Sequence, residues 1–258
     1  MYRLRSMFYR ALAHPLTRGI DIDDPRTTDL RSTIIQQKPI LRKIYREWYR
    51  LLSDDLPVGD GHALELGSGG GFLDQFIPDL ITSDMFVLPK IHLVMDGRRM
   101  PLADASLRAI VMTNVFHHIP DARAFLAEAA RTVRPGGVVA MIEPWNNPWA
   151  RFICSRLHHE EFDPNASQWE FKTQGPLSGS NHALPWIVFQ RDRAKFEQRF
   201  PQWKIEKLQP LMPLCYLMSG GVSMRPRAPG FMFNAIRILE RPFESSMAIF
   251  AHLLLRKR

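Results

Sequence analysis

The stretch Ala63-Leu-Glu-Leu-Gly-Ser-Gly-Gly-Gly-Phe72 constrains this chain more than any other. A short apolar run ends beside an acid, three glycines follow at alternate positions (Gly67, Gly69, Gly71), and apolar sequence resumes behind them. Glycine accepts positive φ and brings the backbone close to a ligand, because no Cβ stands in the way. A glycine turn between a strand and a helix can therefore form the floor of a ligand site. Taken alone, the same pattern also fits an ordinary tight turn.

The sequence on either side narrows the choice. Strands are expected at Ala63–Leu66, Leu80–Ser83, Ile91–Met95, Leu107–Thr113 and Val138–Ile142. A short helix is expected over Phe72–Ile77. A longer one is expected after Asp121, with Phe125, Leu126, Ala129 and Val133 on its apolar face and Pro135-Gly136-Gly137 as its stop. Apolar strands alternating with helices indicate an open parallel α/β sheet, whose ligands bind beyond the carboxyl ends of the strands. Glu65, Asp84, Asp96, Asn114 and Glu143 fall at or near those ends.

Upstream, Met1 to Leu12 reads as an amphipathic helix carrying Leu4, Phe8 and Leu12. A second helical region, with Thr27 or Thr28 as its cap, should be kinked or divided at Pro39. Downstream of Glu143 the rhythm breaks into a cap-like segment with Trp145, Trp149, Trp169 and Trp186, and two of these four are expected to line a pocket. A helix over Arg191–Phe200, a strand over Lys204–Leu208 and a final buried strand over Met247–Leu255 complete the reading. The division expected is an N-terminal helical cap (1–60), a ligand-binding core (61–144), and a segment (145–258) holding a substrate cap and the last strands of the same sheet.

Of the 258 residues, 45% are hydrophobic, enough for a substantial core. Two distant cysteines, Cys154 and Cys215, argue against a disulfide framework and fit a reducing, cytoplasmic compartment. No apolar run reaches the roughly 18 residues needed to span a bilayer. Charge is uneven: +6 over residues 1–50, −6 over 51–190 and +8 over 191–258. Basic flanks around an acidic centre point to peripheral contact with an anionic membrane, to a phosphorylated acceptor, or to solvated helix faces. Neither a metal site nor a nucleic-acid partner is expected.

The ordered series Glu65-Leu-Gly-Ser-Gly-Gly-Gly71, Asp84, Asp96 before Met100-Pro101-Leu102, Asn114-Val-Phe-His-His118 and Arg134-Pro-Gly-Gly137 resembles the class I S-adenosylmethionine-dependent methyltransferases. Within them it is most similar to the group of quinone-biosynthesis and small-molecule methyltransferases, over about residues 61–144. The resemblance implies a Rossmann-like, doubly wound, mostly parallel sheet with S-adenosylmethionine as cofactor. It implies that Glu65, Gly67, Ser68, Gly69, Asn114 and Val115 surround the methionine end, Asp84 the ribose and Asp96 the adenine amine. A glycan-bearing, lipid-linked or other small-molecule acceptor follows, methylated with His118, or with the pair His159 and Glu160, as base. One departure stands out. Only Met85 to Lys90 separate the second and third strands, where the family usually has a helix, so the adenine side should be unusual. A catalytically silent fold that binds a partner or membrane, and a nicotinamide dehydrogenase, are the competing readings. The full series of ligand-type residues weighs against the first and the glycine spacing against the second.

Overall fold

The computed structural model describes Leu16 and residues 23–157, 161–173, 175 and 177–258. The expected helix over Met1–Leu12 and the His159–Glu160 pair lie outside the described residues.

Two helices open the described chain, α1 (Arg26–Gln37) and α2 (Pro39–Asp54). Pro39 sits at the first position of α2, where its missing N–H costs nothing, and Lys38 is extended between the helices. Proline thus divides the helical region as expected. Thr27 and Thr28 do not cap it: both are buried within the first turn of α1, which begins after Pro25.

Strands β1 (His62–Leu66), β2 (Leu80–Asp84), β3 (Leu93–Val94), β4 (Leu107–Thr113), β5 (Val133–Pro144), β6 (Trp203–Leu211) and β7 (Phe250–Lys257) form one sheet in the order β3-β2-β1-β4-β5-β7-β6. The first five are parallel, and β7 runs antiparallel to both β5 and β6. This is the Rossmann-like mixed sheet of the class I methyltransferases.

Three elements differ from expectation. β3 is reduced to two residues, because the connection from Asp84 is too short for a longer partner. β5 begins at Val133, five residues early, and its register against β4 jumps between Leu107 and Ala109. The jump accommodates the Arg134–Gly137 turn as a bulge, with Gly136 at φ +75°. The expected helix at Phe72–Ile77 is only a 3-10 turn, Leu73–Gln75.

The layers follow from side-chain alternation along the strands. Ile110 and Met112 of β4 pack with Phe125, Leu126 and Ala129 of α3 (Ala122–Thr132) on one side of the sheet. Ala109 and Val111 face Ile44, Trp48 and Leu52 of α2 on the other. Small residues (Ala63, Ala109, Ala140) on that face leave room for the Trp48 indole, which is fully buried. A buried side chain of that size contributes roughly 1.5–3 kcal/mol. Asp121 caps α3, its Oδ1 accepting from the Arg123 and Ala124 amides at 2.9 and 3.1 Å.

After β5 come α4 (Pro148–Leu157), a short turn Leu184–Trp186 running into a π-helical turn Ile187–Arg191, and α5 (Arg193–Arg199). Between β6 and β7 lie α6 (Cys215–Ser219), α7 (Phe233–Glu240) and α8 (Glu244–Met247).

Candidate active site

A cavity of about 530 Å³ opens over the carboxyl ends of the parallel strands. Its lining includes Glu65, Gly67, Ser68, Gly69, Asp84, Asp96, Asn114, Val115 and His118, residues that sequence alone set apart. A cavity of this size suits a drug-sized ligand.

The glycines serve different ends. Gly67 and Gly69 have φ of +70° and +51°. A Cβ on Gly67 would lie 2.6 Å from a Val115 methyl, whereas one on Gly69 would meet only the Gly67 carbonyl oxygen, at 3.9 Å. Gly69 is therefore the open floor. Gly70 and Gly71 answer to the helices above them. A Cβ on Gly70 would lie 2.5 Å from the Ser32 nitrogen of α1, and one on Gly71 would collide with the Tyr49 hydroxyl of α2. That hydroxyl also accepts the Phe72 amide at 3.3 Å. The glycine turn is thus clamped between the sheet and the N-terminal helices.

The strand-end acids are held in distinct ways. Glu65 is buried, and burial, reinforced by the charges of Asp74 and Asp84, pushes its carboxyl up to about 7. Asp84 accepts the Gly69 amide at 2.9 Å and the Phe86 amide at 3.0 Å, one on each oxygen, and keeps lone pairs for further donors. Asp96 is gripped by its neighbour: the Arg98 amide reaches Oδ1 at 2.8 Å and the guanidinium reaches both oxygens, the shortest contact being 2.6 Å. Burial pushes the Asp96 carboxyl up, and the Arg98 contacts outweigh it, leaving the group below its ordinary value. Met85 and Phe86 line the cavity where the short β2–β3 connection has no helix.

Asn114 turns the chain at the end of β4 with φ +58°, a conformation asparagine tolerates better than most residues. The turn aims successive amides at Glu143, whose side chain is fully buried. Glu143 Oε1 accepts from Val115 and Phe116 at 2.8 Å each, and Oε2 pairs with His117 Nδ1 at 2.7 Å. So engaged, Glu143 braces the loop. The rings of His118 and His182 lie 4.2 and 4.5 Å from that of His117, and His118 Nδ1 is 3.2 Å from the Gly179 carbonyl oxygen. All three histidines line the cavity. His182, 64 residues beyond His118 in a segment without periodicity, carried no sequence signal.

The rest of the cavity lining comes from α1, α2, α4 and α6 and the loop after α6. It holds apolar and tyrosyl side chains, including Ile35, Tyr45, Ile153 and Tyr216. Burial pushes the Tyr45 hydroxyl up to about 12. Lys38, buried between α1 and α2, holds the loop by donating to the Gly221 carbonyl at 2.6 Å and to that of Met224. Arg31 and Arg227 belong to this lining, and among the described residues neither guanidinium has a carboxylate partner. The cavity therefore carries both signs of charge, with the strand-end acids below and Arg31 and Arg227 contributed by the segments that cover them.

The expectation of a tryptophan lining fails. No tryptophan is among the described lining residues; the aromatic walls are Tyr45, Tyr49, Phe86, Tyr216 and Phe250. Trp145 and Trp169 are buried in the core instead, and Trp149 donates to the Pro213 carbonyl at 3.1 Å.

The glycine floor and the strand-end acids fit S-adenosylmethionine, and Thr113 Oγ1, buried in the cavity lining, has no hydrogen-bond partner. The fold and this site define the class I S-adenosylmethionine-dependent methyltransferase architecture. The family described as "Methyltransferase domain" matches residues 82–141, from β2 through most of β5. These residues thus match a methyltransferase domain. Solved structures of the same fold include a geranyl diphosphate methyltransferase in complex with S-adenosylmethionine, 13% identical, with a TM-score of 0.53 over 94% of each chain. A second is the geranyl diphosphate C-methyltransferase of Streptomyces coelicolor A3(2) with Mg2+, geranyl diphosphate and S-adenosyl-L-homocysteine, 12% identical, TM-score 0.50, covering 96% of this chain and 89% of that one. A third belongs to the complex of the Haloferax volcanii Trm112 methyltransferase activator with a methyltransferase, 13% identical, TM-score 0.51, covering 92% and 98%. At these identities the likeness is one of fold. No curated protein sequence matches the chain.

Proposed function

We propose that this chain methylates a small-molecule acceptor that combines an apolar body with an anionic group. The observation that carries the reading is the mixed lining of the cavity: Glu65, Asp84 and Asp96 share it with apolar and tyrosyl side chains and with Arg31 and Arg227, which have no carboxylate partner among the described residues.

Bound S-adenosylmethionine supplies a methyl group on a sulfonium, whose thioether leaves readily. In this proposal the backbone of Gly67, Ser68 and Gly69 supports the methionine end, and Glu65 faces its ammonium group. Asn114 and Val115 close that end. Asp84 accepts the ribose hydroxyls with the lone pairs left by Gly69 and Phe86. Asp96, steadied by Arg98, accepts the adenine amine, and Met85 and Phe86 replace the missing helix as its wall. In-line methyl transfer depends chiefly on positioning, which can supply up to about 7–11 kcal/mol of the barrier.

For an acceptor that must lose a proton, His118 is the proposed base. Glu143 holds neighbouring His117 in orientation through Nδ1. His159 and Glu160 remain candidates for the same role. The N-terminal helices and the segment after β5 serve as the acceptor cap around the core. Two structures of this fold act on geranyl diphosphate, which joins an apolar chain to an anionic group. That combination suits the apolar lining of this cavity and its two arginines.

Calorimetry with S-adenosylmethionine tests the cofactor assignment. Asp84→Ala should weaken binding about tenfold or more, the order of a lost charge-assisted hydrogen bond. Unchanged affinity would refute the ribose role, and absence of both heat and thermal stabilisation in the unaltered protein would refute the whole reading.

A further inference from the structure

The helical stretch after the cavity loop is apolar on two sides. A 3-10 turn (Gly230–Met232), α7, a second 3-10 turn (Arg241–Phe243) and α8 follow one another without a break. Phe233 and Ile236 of α7 face the core. Glu240 is fully buried, accepting the Leu214 and Cys215 amides at 2.6 and 2.7 Å and pairing with Arg237. Arg237 also reaches Glu47 of α2 at 2.6 Å, so the inner face is firmly tied down.

The outer face is apolar as well. Phe231 is 82% exposed, Leu239 69%, Ile238 64% and Phe243 47%. Ala235 and Leu239 of α7 share one face, and Phe231 and Phe243 lie in the adjoining 3-10 turns at either end of it. With Met232, five of the eleven large exposed hydrophobic residues in the described chain fall within this stretch. Scattered exposed apolar side chains are ordinary, but a cluster marks a contact surface.

The rim of this cluster is cationic. Arg225, Arg227 and Arg241 are exposed, and the only acid between Gly220 and Phe243 is the buried Glu240. We propose that this ridge rests on an anionic lipid surface, with Phe231, Leu239 and Phe243 entering the acyl boundary and the arginines meeting headgroup phosphates. Charge complementarity selects this occupant. A second copy docked about a twofold axis would set the arginine rim against itself. Among the described residues no helix is long and apolar enough to cross a membrane, so the contact lies on the surface. The loop leading into the ridge contributes Ser223, Met224 and Arg227 to the cavity lining. An acceptor dissolved in the bilayer would thus meet the cavity beside the docked ridge.

Vesicle co-sedimentation of the full chain tests this independently of methyl transfer. The protein should sediment with phosphatidylcholine vesicles containing phosphatidylglycerol, less so at high salt, and far less with phosphatidylcholine alone. The double variant Phe231→Ser/Leu239→Ser should lose at least about tenfold in vesicle affinity, since it withdraws two apolar side chains. Both side chains are exposed, so its thermal midpoint and S-adenosylmethionine binding should match those of the unaltered protein. Failure of the unaltered protein to bind anionic vesicles would overturn the proposal, as would equal binding by the variant. A dimer in sedimentation velocity that the variant dissolves, without vesicle binding, would assign the ridge to self-association instead.

Discussion

In the proposed cofactor site, Glu65 should couple S-adenosylmethionine binding to pH. In the free protein its buried carboxyl titrates at about 7 instead of the ordinary 4.5. The folded chain therefore keeps a proton that the unfolded chain would release over that range. The stability this contributes is complete below about pH 4.5 and is lost as the pH rises through about 7. The difference corresponds to about 3 kcal/mol as an upper bound, at roughly 1.4 kcal/mol for each pH unit. A cofactor ammonium beside Glu65 reverses the preference, because the ionised carboxylate then has a partner. Binding at about pH 6 should release close to one proton, and affinity should rise nearly tenfold per pH unit up to about 7. Calorimetry in two buffers with different heats of ionisation reads the proton directly. Glu65→Gln, which cannot ionise, should show little dependence on the buffer, and its difference from the unaltered protein isolates this residue from the cofactor's own amine. Equal heats in both buffers for the unaltered protein, or the same buffer dependence in the glutamine variant, would refute the reasoning.

Two further substitutions probe the walls of the site. Glu143→Ala should destabilise the fold by roughly 3–5 kcal/mol in urea titrations, because it strands the amides of Val115 and Phe116 and the His117 ring in a buried setting. Gly70→Ala should cost about 1–3 kcal/mol in the same assay, since its Cβ would meet Ser32 backbone that can yield only by moving α1. With α1 displaced, Arg31 moves too, so the KM for an anionic acceptor should rise more than the Kd for S-adenosylmethionine.

Much of the site was legible because parallel α/β sheets gather their functional groups at strand ends. Glu65, Asp84, Asp96 and Asn114 could be placed by reading where each apolar run stops. The missing helix after Asp84 was visible as a simple shortage of residues. What stayed hidden depended on contacts between distant segments. The alternate glycines looked equivalent, yet Gly69 faces open cavity and Gly71 faces Tyr49, a residue 22 positions away. Glu143 looked like one more strand-end group facing the ligand, and only its burial against the β4 loop shows that it holds amides. The tryptophans misled for a related reason. A large amphipathic ring suits both a ligand wall and a core, and local sequence does not distinguish them. Pro135-Gly-Gly137 marked a break correctly, but the break is a bulge that β5 runs through.

The two ends of the sheet have a bearing on how this protein keeps to itself in a crowded cell. An open sheet offers unpaired backbone groups at each margin, and a neighbouring chain can extend the ladder there. At the β3 margin the two-residue strand is too short to serve as a template. At the β6 margin the register slips between Ile205 and Lys207, Lys204 and Lys207 supply charge, and Pro210 removes a donor. The abrupt β2–β3 connection that brings Met85 and Phe86 into the cavity lining therefore also shields one margin against amyloid-like stacking.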